Sequence, residues 1–141
     1  MLLSTVLMAA GVLTGTGTAH ASEMTSFYAC VYKPCDLTNP NDDFTAGNIT
    51  WYNWAVTLNG TVYANPSRTY TVQAVFDAFN GSTRIGSEGR TVVEPADQRS
   101  FEFDMGGGSA AGKVDRIRIT IVRYWSTGGS TPGEQFNFAR P

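Results

Sequence analysis

"VDRIRITIVRYW", residues 114–125, decides the fold class. Ile117, Ile119 and Ile121 fall on one parity and Arg116 and Arg118 on the other, the period of two that puts successive side chains on opposite faces of a strand. Working outward, residues 70–79 repeat the pattern, with Tyr70, Val72, Ala74, Phe76 and Ala78 on one face and Thr71, Gln73 and Asp77 on the other. Residues 52–62 do the same, Tyr52, Trp54, Val56, Leu58 and Val62 facing in. Further strands are expected over 90–93, 100–105 and 135–138, with a first strand before the turn that Cys30 and Cys35 close. Turn chemistry separates them: Asn59-Gly60, Asn80-Gly81, Asn65-Pro66-Ser67, residues 86–89, residues 94–97 and two glycine clusters. No stretch carries a helical stripe. The pattern predicts an all-β chain, an immunoglobulin-like antiparallel β-sandwich of about seven strands, with a small β-barrel as the alternative.

The chain has 141 residues, which implies one domain. Its first 21 residues read as a secretory signal: an uncharged apolar run, then small residues, then Ala19-His20-Ala21 as the cleavage pattern. The run of about 12 apolar residues is too short to span a bilayer, which needs roughly 20. Residues 22–141 are therefore expected to form one secreted or cell-envelope domain with no membrane span. The formal net charge of -2 does not suggest nucleic acid or an anionic membrane as partner.

The single histidine, His20, lies in the expected signal, so the mature chain would have no imidazole. Ser-His-Asp and Cys-His catalysis and His-ligated metals each need one. Gly112-Lys113 continues into Val114 and a strand, so it does not form the phosphate loop that must open a helix. No cofactor is expected.

The only cysteines, Cys30 and Cys35, stand five positions apart with Pro34 between them. In an oxidising compartment two cysteines pair. Their spacing is not that of a Cys-x-x-Cys redox motif and no histidine completes a metal shell. They are expected to form a local disulfide.

Between Trp54 and Phe103 the chain carries a strand end with Leu58, Gly60, Val62 and Asn65. A long strand ending in Phe76-Asp77 follows, then a glycine turn, then a proline turn before Phe101-Glu102-Phe103. In this order of events it resembles FxLYD-type and related immunoglobulin-like domains of bacterial secreted and cell-envelope proteins. The resemblance implies a non-catalytic accessory or interaction module and supplies no active-site residues.

Several residue groups invite a functional reading. Trp51, Tyr63 and Tyr124, on the polar parity or at a strand end, are candidates for an aromatic glycan-binding surface. Asp36, Asn39, Asn41 and Asp43, with Asp42 beside them, offer oxygen ligands of the kind calcium takes, although the EF-hand spacing is missing. Glu102 and Asp104 would face Arg116 and Arg118 if their strands formed a hairpin, giving an ion-pair ladder or, if a cleft brought two acids together, a hydrolase. Three Asn-x-Ser/Thr sequons, at Asn48, Asn59 and Asn80, are explained for two of them by Asn-Gly turns. The expected function is a secreted non-catalytic binding module for an extracellular protein or glycan. Its rivals are a hydrolase inhibitor or glycan-binding protein presenting loops 38–48 and 126–133, and a carboxylate-based hydrolase.

Overall fold

The computed structural model describes residues 22–39, 42–107 and 112–141. The expected signal, residues 1–21, and the calcium candidate Asn41 lie outside the described residues. Eight strands follow in order: β1 (Glu23–Cys30), β2 (Phe44–Trp51), β3 (Val56–Tyr63), β4 (Tyr70–Asn80), β5 (Thr83–Val92), β6 (Gln98–Met105), β7 (Arg116–Trp125) and β8 (Ser130–Ala139). They form two antiparallel four-stranded sheets, ordered β1-β2-β3-β6 and β5-β4-β7-β8. The chain crosses between sheets after β3, β5 and β6, so the fold is an immunoglobulin-like β-sandwich and not a barrel. None of the described residues forms a helix long and apolar enough to cross a membrane.

Alternation fills the space between the sheets. Ile117, Ile119 and Ile121 of β7 and Val72, Ala74, Phe76 and Ala78 of β4 are buried, as the period of two predicts. Phe27, Gly47, Gly60 and Phe101 form one row across the first sheet. Phe76 reaches across from the other sheet and meets the ring of Phe27 at 6.2 Å and that of Phe101 at 5.1 Å. Its ring therefore lies over the two glycines, and its full burial contributes about 1.5–3 kcal/mol.

That row explains one mistaken expectation. Asn59-Gly60 is not a turn; it lies inside β3, where a methyl on Gly60 would sit 2.2 Å from the carbonyl oxygen of Ala46. The glycine serves close strand approach. Asn80-Gly81 is a hairpin turn as expected, with Gly81 at φ 61. Residues 86–89 were expected to turn, but they continue β5, an edge strand whose exposed polar residues hide its periodicity.

The eighth strand, β2, escaped the sequence reading because Thr45 and Gly47 occupy inward positions and blur the alternation. Residues 52–55 form a tight turn instead of opening β3, with the Tyr52 amide donating to the Ala55 carbonyl at 2.9 Å. Tyr52 and Trp54 are consequently exposed, not inward. The conditional hairpin of β6 with β7 does not exist, since the two strands belong to different sheets. Asp104 instead accepts from Thr57 Oγ1 at 2.6 Å, and Arg118 pairs with Asp77 at 3.1 Å.

Candidate functional site at the loop end

The topology brings four connections to one end of the sandwich: residues 31–43, 64–69, 93–97 and 126–129. In this fold class such an end is where variable loops present recognition surfaces. Here the connections are tied to one another from beneath.

The tie is Asp43, whose side chain is 0% exposed. Its Oδ1 accepts the backbone N–H of Asn65 at 2.7 Å. Its Oδ2 accepts the Tyr70 hydroxyl and Arg123 Nε, each at 2.7 Å. One carboxylate thus joins the first connection to the second, to the start of β4 and to the end of β7. A buried charge requires such pairing and hydrogen bonding. Burial and the bond to Asp43 push the Tyr70 phenol up to about 12. The Arg123 guanidinium also lies over the Tyr70 ring, and that ring packs against Trp125 at 4.9 Å.

A buried cation links the next pair of loops. Arg68 Nη2 donates to the Ala96 carbonyl at 2.6 Å and Nη1 to that of Asn65 at 3.2 Å, while Asp97 pairs with it at 3.6 Å. The Ala64 amide adds a bond to the Asp97 carbonyl. Residues 64–69 and 93–97 are therefore held together by a side chain and by backbone.

The first connection is closed by the Cys30–Cys35 disulfide, with Cα atoms 5.7 Å apart. The pairing expected from compartment and spacing is formed. Beyond it, Asp36 Oδ1 accepts from the Thr38 amide and hydroxyl, which holds the Asp36 carboxyl below its ordinary pKa. The Glu134 amide donates to the Val31 carbonyl at 2.8 Å, fastening the loop to β8. The fourth connection turns through Gly128 and Gly129, both at positive φ, and Trp125 Nε1 donates to Thr131 Oγ1.

On this framework stand exposed apolar side chains: Tyr32 (63% exposed), Leu37 (71%) and Val93 (59%), with Trp125 and Tyr124 at the end of β7.

The candidates from sequence do not share a site. Trp51 is only 2% exposed; its Nε1 donates to Thr25 Oγ1 and the Arg140 guanidinium covers its ring at 5.0 Å. Its assignment to an outward face is corrected: the turn at residues 52–55 shifts the parity, and Trp51 closes the opposite end of the core. Tyr63 lies on the outer face of the first sheet, stacked on Phe44, which stacks on Tyr28. Phe44 is thus stacked on both faces, and Tyr28 and Tyr63 each give one face to it. Tyr124 is on the other sheet, its hydroxyl bound to Gln73. Asp36 and Asp43 are turned to different partners, and no group of three or more His, Cys, Asp or Glu side chains that could hold a metal ion occurs among the described residues. Residues 44–48 and 130–133, expected as loop, belong to β2 and β8.

Arg123 and Tyr70 were missed as partners of Asp43, although the signal was present. Arg123 follows Ile117, Ile119 and Ile121 on the inward parity, and an inward arginine calls for an acid. Comparison with models of known families, with curated proteins and with solved structures gave no match.

Proposed function

We propose that this protein is a secreted, non-catalytic binding module that recognises an extracellular protein partner through the loop end of its sandwich. The observation that carries this reading is the placement of Tyr32, Leu37 and Val93, exposed on connections that a disulfide, Asp43 and Arg68 hold in place. Pre-ordering lowers the entropy lost when a surface binds. The disulfide is compatible with an extracellular protein, and the resemblance of the motif order to that of FxLYD-type domains supports an interaction role.

The test compares capture of envelope and secreted proteins from the producing cell by three forms of the chain. The reading expects one partner retained by the wild type and by Tyr52→Ser/Trp54→Ser, at the opposite end, and lost with Tyr32→Ser/Leu37→Ser/Val93→Ser. Loss with the opposite-end variant alone would move the site. Inhibition of a secreted hydrolase is the second reading, favoured by the disulfide-braced loop that displays Tyr32 and Leu37. A protease and glycosidase panel left uninhibited would remove it.

A further inference from the structure

The arginines of the opening motif have a second consequence. Alternation buries the isoleucines of β7 and sends Arg116 and Arg118 to the outer face of the β5-β4-β7-β8 sheet. Ordinary alternation along β4 sets both Asp77 and Phe79 on that same face, opposite Arg118 and Arg116. Phe79 is covered there by Arg116 at 4.0 Å and Arg118 at 4.8 Å from its ring centre. Arg84 reaches in from β5 to within 3.6 Å of Asp77. Arg84 and Arg118 thus share one carboxylate, which Ser87 also engages, while Arg116 donates to Asn137 Oδ1 and to the Gly81 carbonyl.

The charge is local. Asp36, Asp42, Glu94 and Asp97 lie in the connections of the loop end, and Glu102 and Asp104 lie on the outer face of the other sheet. On the face itself Asp77 offsets one of the three arginines and Asp115, accepting from the Gly81 amide beside Arg116, stands at its edge, which leaves a small local positive excess within a net charge of -2. Stacking on Phe79 holds two guanidinium planes in position, so little side-chain freedom is lost when they bind an anion. Along β7 the same face runs from Arg116 to Tyr124, roughly 26 Å at the usual strand rise. Tyr124 ends it with a 42% exposed ring, and Gln73, Gln135 and Asn137 supply amides between.

We infer that this sheet face binds an anionic polysaccharide, its spaced carboxylate or sulfate groups on Arg84, Arg116 and Arg118 and a sugar ring against Tyr124. Nucleic acid fits less well. Duplex DNA carries one charge per roughly 1.7 Å, far denser than three guanidinium groups match, and single strands need open aromatic platforms. Phe79 offers none, since arginines cover it.

Calorimetric titration at low salt tests the assignment, using a galacturonate octamer, a sulfated octasaccharide, neutral maltooctaose and a DNA octamer. Binding of at least one charged glycan and none of maltooctaose is expected. Arg84→Gln, whose side chain is exposed and safe to change, and Arg116→Gln should each weaken it roughly fivefold. Tyr124→Ala should also weaken it, separating the glycan from a bare counter-ion. Which charged octamer binds more tightly identifies carboxylate or sulfate as the group. No binding of either, undiminished binding by the arginine variants, or tighter binding of the DNA octamer would overturn the inference. Loop-end variants should leave this binding intact, so its failure is distinguishable from failure of the protein-partner reading.

Discussion

Arg123 Nε and Asp43 Oδ2 meet at 2.7 Å although 80 positions separate the residues in the chain. The carboxylate is fully enclosed, and Tyr70 shares the same oxygen. Replacing Asp43 with Ala strands a cation, a hydroxyl and the Asn65 amide at once. Breaking a buried pair from one side typically costs about 3–5 kcal/mol; with Arg123 partly exposed, about 3 kcal/mol is expected here. Urea denaturation measures it, and a loss under about 1 kcal/mol would show that the cluster contributes little to stability.

Gly60→Ala should destabilise the fold more than Gly86→Ala. A methyl at Gly60 meets backbone at 2.2 Å, whereas one at Gly86 meets the flexible end of Met105 at 3.4 Å. Overpacking against rigid neighbours costs about 1–3 kcal/mol or more, and the Gly86 variant should stay within about 1 kcal/mol. Equal thermal midpoints for the two variants would contradict the close approach of β2 and β3.

Removing the disulfide by Cys30→Ser/Cys35→Ser should cost roughly 2 kcal/mol in the chain-entropy account while leaving both sheets intact. Limited proteolysis should then cut within residues 31–39 first. If thiols react freely with a labelling reagent in the native protein, the disulfide reading fails.

Tyr70 sets an alkaline limit. Its phenol is pushed up to about 12 from an ordinary 10.0, chiefly by burial and next by Asp43. Between those values the native state keeps a proton that the unfolded chain releases, so the stability present below pH 10 is lost as pH rises towards 12. Tyr70→Phe should flatten that fall, measured by urea denaturation across the range. An unchanged slope would place the alkaline transition elsewhere.

Much of the architecture was legible because β4 and β7 alternate cleanly and their turns carry Asn, Gly and Pro in the positions that turn geometry demands. β2 was not, because Thr45 and Gly47 face the core: the threonine bonds the Thr61 carbonyl and the glycine leaves room for the neighbouring strand. β5 was hidden by its place at an edge, where alternation is relaxed. The candidate site was harder to see. Asp43 was recognised as a chemically notable acid, but its partners come from two distant strands and a single sequence offers only the inward parity of Arg123 to suggest them. Trp51 was misplaced because one turn, at residues 52–55, separates its strand from the next and resets the parity.

Amide hydrogen exchange on the wild type and Asp43→Asn tests most directly whether Asp43 orders the loop end. The neutral amide keeps the shape of the side chain and removes the charge, so the sheets should remain protected in both. In the wild type the Asn65 amide, bonded to the carboxylate at 2.7 Å, should exchange slowly. In Asp43→Asn exchange should quicken at Asn65 and through residues 31–39 and 64–69, while Ile119 and Phe76 stay protected. Unaltered exchange at Asn65 and both loops would contradict the account, because the buried carboxylate would then not be what holds the loop end in place.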